Sequence, residues 1–150
     1  MNKNRNSEAN IARLILDEKI SFSGKAFRVL ENEYILKKVG SVLDTKREFR
    51  TSDHIGRIDF IVNFAKKKYA VELKSPVCRK IGNVSFYSAI KVLAYCAYYK
   101  FQTNETIFPS ILFPKQDLTL EMEIIANFLK IKLFLFYFDF NEDLIIETTH

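Results

Sequence analysis

Asp59, Glu72 and Lys74 are the residues whose types and spacing could do chemistry together. They stand in Gly56-Arg57-Ile58-Asp59-Phe60 and, thirteen positions after Asp59, in Glu72-Leu73-Lys74. The stretches around them, 57–64 (RIDFIVNF) and 69–75 (YAVELKS), are rich in β-branched and aromatic residues and predict two strands. Ala65 to Lys68 would join them as a tight hairpin. Side chains alternate along a strand, so Glu72 and Lys74 project from one face. With Phe64 and Tyr69 closing the turn, Asp59 falls opposite Lys74 and Ile61 opposite Glu72. Asp59, Glu72 and Lys74 then share one face, and Phe60, Val62, Val71 and Leu73 fill the other. Two carboxylates a few ångströms apart repel unless a cation sits between them. Oxygen-only ligands suit Mg²⁺, with Mn²⁺ as a substitute. A neighbouring lysine can orient a water or stabilise a pentavalent phosphate, which together make a phosphodiester hydrolase. The plainer alternative is a cross-strand salt bridge, Asp59 to Lys74, with Glu72 a bystander.

The elements around this hairpin read as follows. A helix is expected over 7–19, capped by Ser7, with Ile11, Leu14 and Ile15 as its apolar stripe. A second helix is expected from about Lys25 to Val39, between Ser23 and Gly40. A strand over 42–50 precedes the hairpin, and Pro76 and Gly82 mark a loop after it. A helix over 84–100, a strand over 107–113, a helix over 118–130, and strands over 133–140 and 143–148 complete the chain. The order α-α-β-β-β-α-β-α-β-β predicts an α/β fold around a mixed sheet, not a doubly wound nucleotide fold, because an antiparallel meander comes first.

The string GRIDFIV…YAVELK resembles the PD-(D/E)xK nuclease superfamily, whose signature is an acid on one strand of a hairpin and (D/E)-x-K on the next. Asp59 matches the first acid, Glu72 the second and Lys74 the lysine; Ile58 stands where the family name has Pro. The resemblance spans residues 24–113, leaving 1–22 as a helical extension and 114–150 as an αββ extension of a single domain. It implies the restriction-endonuclease-like fold, with helices flanking the mixed sheet, and an Mg²⁺-dependent DNA nuclease, most like small Holliday-junction resolvases and restriction-like endonucleases. Those typically act as homodimers, and strand 133–140 is then either a core strand or a dimer edge. The family also places a Glu on the helix before the sheet. Glu33 falls inside the helical stripe of Ala26, Val29, Leu30 and Leu36, and Glu31 lies at its edge beside Phe27 and Ile35, so both are candidate ligands with Glu33 the better placed. A Gln-x-x-x-Tyr pattern on the helix after the hairpin has its counterpart in Lys91 and Tyr95, with Lys replacing Gln and Ser88 on the same face. The rival reading of the same fold is a catalytically silent nucleic-acid-binding or protein-interaction module.

The charge agrees with a polyanionic partner. Of 150 residues, 23 are Lys or Arg and 18 Asp or Glu. The first hundred carry 20 basic and 10 acidic residues, and the last fifty carry 3 and 8. Lys46, Arg47, Arg50, Arg57, Lys66 to Lys68, Arg79 and Lys80 surround the hairpin. Arg57, Arg79, Lys80, Lys91 and Tyr95 are the candidate DNA contacts. Other chemistries find no support. His54 and His150 have no partners at zinc-ligand spacing, Cys78 lacks a nearby His, Cys96 sits among Ala and Tyr as core, and no phosphate-binding glycine loop exists. Two cysteines build no disulfide framework, which points to the reducing cytoplasm. No apolar run is long enough for a membrane span, and MNKNRNSEAN has no signal-peptide core.

Overall fold

The computed structural model describes residues 5, 7–22, 27–37, 54–74 and 81–149. It is a mixed α/β fold: one seven-stranded sheet with helices on both faces. The elements run α1 (Glu8–Leu16), β1 (Ile20–Phe22), β2 (Phe27–Lys37), β3 (His54–Phe64), β4 (Lys67–Leu73), α2 (Ile81–Thr103), β5 (Phe108–Pro114), α3 (Leu120–Leu129), β6 (Lys132–Phe138) and β7 (Leu144–Thr148). The strand order is β1-β7-β6-β5-β4-β3-β2. The meander β2–β3–β4 is antiparallel, α2 carries the chain to the parallel β5, and α3 carries it to the parallel β6. The short β1 pairs with β7, so the two ends of the described chain close one flank of the sheet. Strand β6 lies between β5 and β7 and is a core strand, with no edge to offer a partner.

The expected helix over 25–39 is strand β2. A helix there would leave the outer edge of β3 unpaired, whereas the extended segment builds a ladder from Phe27–Phe64 to Lys37–His54. Val29, Tyr34 and Ile35 favour that choice, and long-range pairing overrides the helical spacing. Glu31 and Glu33 are therefore strand residues. The strand expected over 42–50, with Lys46, Arg47 and Arg50, lies outside the described residues, as do Cys78, Arg79, Lys80 and His150. His54 begins β3, and Gly82, expected to mark a loop, is already within α2.

The hairpin turn has two residues, not four. Ala65 and Lys66 both take left-handed backbone angles, φ 52° and 64°, which suits a two-residue connection between twisted strands. Phe64 pairs with Lys67, and Ile61 with Ala70. The register thus moves by two positions, and numerically Asp59 comes level with Glu72 rather than Lys74.

Two cores flank the sheet. Ile11 and Ile15 of α1 pack with Phe60, Val62, Val71 and Phe134 on one face; Ala89, Val92 and Tyr99 of α2 pack with Ile61, Ala70 and Ile111 on the other, where Met122 and Ala126 of α3 join them. Strand β3 changes allegiance part-way. Phe60, Val62 and Phe64 belong to the α1 core, but Ile58 belongs to the α2 core, although positions two apart should share a face. The partner strand does the same: Phe27 and Val29 pack toward α1, Tyr34 and Leu36 toward α2. Between these halves β2 carries a register shift at Val29/Glu31 and a left-handed residue, Glu33 (φ 51°). The ribbon is therefore kinked at Glu33 and Asp59, and its far half folds over α2, where Tyr34 meets Tyr99 edge-on at 5.3 Å. No helix among the described residues is long and apolar enough to cross a membrane.

Candidate functional site

The kink places Asp59 where β3 and β4 part. The ladder between them runs to Phe60–Val71. Beyond it the Leu73 N–H donates to the Asp59 carboxylate, Oδ2, at 2.9 Å, while the Lys74 N–H donates the other way, to the Leu112 carbonyl of β5 at 2.8 Å. A side-chain oxygen thus takes the place of a strand carbonyl at the end of the ladder. Burial first, and then the charge of Glu72, raise the Asp59 pKa from 3.8 to about 6, against the pull of the Leu73 N–H.

Glu72 lies one strand over and beneath α2. Its side chain is 3 % exposed. Two ammonium groups hold one oxygen, Oε1: Lys91 donates from α2 at 3.0 Å, and Lys74 lies at 3.3 Å. Burial works against the charge of Lys91, but the Glu72 carboxylate outweighs it and the Lys91 pKa moves up. Lys91 also stands 5.7 Å from the centre of the Tyr95 ring. Tyr95 in turn presses on Gly56: a Cβ there would collide with the Tyr95 hydroxyl and ring, so glycine is what lets β3 pass under α2. Ser88, one turn before Lys91, is fully buried, and its Oγ has no hydrogen-bond partner among the described residues.

Asp59, Glu72 and Lys74 are thus neighbours, but not on one face of a flat hairpin. Glu72 and Lys74 gather under α2. Asp59 opens on the opposite side, into a cleft of about 280 Å³ beneath α1, lined also by Glu8, Ala12, Glu33, Arg57 and Leu73. The alternative of an Asp59–Lys74 salt bridge is not found among the described residues: Lys74 binds Glu72. The kink is the reason, because alternation cannot carry across a residue at which the strand changes faces.

The other expected residues divide. Glu33 lines the Asp59 cleft from β2, exposed and paired with Arg57 at 3.3 Å. Glu31 is exposed two residues away. The acid that does stand on a helix before the sheet is Glu8, first residue of α1, whose charge also bears on Asp59. Its signal in the sequence was Ser7, whose side chain caps α1 by accepting from the Asn10 N–H at 3.1 Å and so fixes where the helix begins. Lys68 is bound to Glu105 at 2.7 Å and to the Tyr99 hydroxyl at 3.2 Å, and Lys67 lies over Phe108, so two of the three hairpin lysines are held by the fold. Cys96 is core, its thiol pushed up to about 12 by burial. Among the described residues no three of His, Cys, Asp and Glu converge closely enough to cage a metal by themselves.

The chain matches no protein-family model, no curated protein and no solved structure.

Proposed function

We propose that the chain is a metal-dependent DNA nuclease with a restriction-endonuclease-like core, its site built from Asp59, Glu72 and Lys74. One observation carries the reading. Two carboxylates flank the broken end of the β3–β4 ladder from its two faces, one buried outright and the other driven toward protonation by burial and by the charge of the first. A protein gains nothing in stability from that arrangement, and a cation relieves it. The donor set fits Mg²⁺, which binds through one or two carboxylates and takes its remaining ligands from water and phosphate. Asp59 and Glu72 would hold it, with Glu8 or Glu33 near enough to the cleft to bind its waters. The chemistry the ion supplies when bound is polarisation of a phosphoryl oxygen and acidification of a water. Lys74 would neutralise charge building on the phosphate in the transition state. Arg57, exposed at the cleft, would take the strand's backbone once Glu33 releases it. Lys91, bound to Glu72, is a positioning residue here rather than a DNA contact.

The silent-module rival has one observation in its favour: Glu72 already has two ammonium partners. A panel of duplex, single-stranded and branched DNAs incubated with Mg²⁺ or Mn²⁺ separates the readings. Cleavage by the wild type and none by Asp59→Asn supports the nuclease. No cleavage, with no rise in melting temperature on adding Mn²⁺ or Ca²⁺, supports the silent module.

A further inference from the structure

The outward face of α2 carries Tyr87, Ile90, Ala94, Ala97 and Phe101, spaced three and four apart in a single line. None of them is covered: Tyr87 is 67 % exposed, Ile90 64 % and Phe101 72 %, and both alanines are exposed. Beside it α3 presents Leu120, Ile124 and Phe128, spaced four apart and 69 %, 59 % and 85 % exposed. The two helices touch and cover the same face of the sheet. With a large aromatic side chain presenting roughly 150–250 Å², these eight larger and smaller apolar groups leave roughly 900 Å² in water. The largest apolar patch on a typical monomer is about 300–600 Å², and a stable protein–protein interface takes about 800 Å² from each partner.

We propose that two copies of the chain meet on this face, α2 against α2 about a two-fold axis. From Ile90 to Phe101 the α2 line reads large, small, small, large, and that stretch reads the same in reverse. An antiparallel two-fold pairing sets Ala94 against the partner's Ala97, where the backbones can approach, and Ile90 against the partner's Phe101. No position in the line is charged, so the two-fold pairing sets no like charges against each other along it. The proposal is independent of the chemistry assigned to Asp59 and Glu72.

Sedimentation equilibrium of the full chain over a concentration series is the test. The wild type should show twice the monomer mass. Ile90→Glu combined with Phe101→Glu should fall to the monomer mass with an unchanged circular dichroism spectrum, because both positions are exposed within the protomer. In a Cys78→Ser background, Ala94→Cys with Ala97→Cys should form an inter-chain disulfide on oxidation, since only close Cα atoms can be bridged. A monomer at every concentration overturns the proposal, as does a dimer indifferent to the two glutamates. A dimer without the disulfide overturns the two-fold pairing.

Discussion

The two ends of the β3–β4 ladder are made by the same pair of strands and could hardly differ more. At the turn end the ladder is complete, and Phe64, Tyr69 and Phe27 surround Phe134, with ring centroids 5.3, 5.8 and 5.1 Å from it and all three edge-on. The side chains that meet there are aromatic rings, and the lysines beside them are held by Glu105 and Phe108. At the other end the ladder stops, a carboxylate replaces a backbone acceptor, and a buried Glu is held by lysines from two elements. The first end keeps the alternation and pairing of a regular sheet. The second breaks alternation, pairing and charge burial within a few residues. Such a concentration of exceptions, offset by the regular end, is what a working site looks like when stability alone is not the object.

The contrast can be broken most forcefully at the regular end. Phe134→Ala removes the hub of the ring cluster and should cost about 3–5 kcal/mol, read from urea unfolding, while the Mn²⁺-induced rise in melting temperature stays as in the wild type. Loss of that response would mean the two ends are one cooperative unit. Glu72→Gln comes next. It leaves Lys74 and Lys91 without their anion and should cost about 2–4 kcal/mol, together with all cleavage. A fully active Glu72→Gln protein would remove Glu72 from the site.

Gly56→Ala should cost about 1–3 kcal/mol through the collision with Tyr95, and a second change, Tyr95→Leu, should recover most of it. Failure of that rescue would show that Gly56 is needed for its backbone and not for the close approach.

Asp59 sharpens the comparison through pH. Its folded pKa, about 6, lies above its unfolded value, 3.8, so between them the folded state holds more protons. Stability is therefore greatest below about pH 4 as far as this group is concerned, and falls as pH rises through 6. Asp59→Asn should abolish that fall and stabilise the protein at neutral pH by on the order of 1–3 kcal/mol, with little change at pH 4, while abolishing cleavage. Thermal melts of both proteins from pH 4 to pH 8 measure it; parallel curves would mean that Asp59 is not strained. The smallest effect is expected at Glu8. Glu8→Gln should lower the Asp59 pKa slightly, followed by carboxyl NMR, because its charge is the last and weakest of those bearing on Asp59.

Several elements were legible because they depend on neighbours in sequence. The stripe of Ile11 and Ile15 behind the Ser7 cap gave α1, the amphipathic run 84–100 gave most of α2, and the apolar run LFLFYF gave β6. The candidate site was legible as residue types: an acid, then Glu-x-Lys on paired strands. The hairpin turn was not, because Ala65-Lys66 has none of the Asn or Gly that left-handed turn positions usually require. Nor was β1, three residues long and defined only by its pairing with β7, some 120 positions later.

Sequence alone determined that Asp59, Glu72 and Lys74 would be neighbours, since thirteen residues of hairpin cannot hold them far apart. It also determined that the ends of the chain would differ in charge. Tertiary structure decided how those three meet. The spacing of residues 26–36 satisfies a helix about as well as a strand, and only the open edge of β3 settled the segment as β2. Once it was a strand, two cores competed for the ribbon, and the kink at Glu33 and Asp59 let each take half. Periodicity records what a segment does along its own axis. Which neighbour's unpaired backbone or open core claims that segment is a long-range energy, carried by residues far away in the chain.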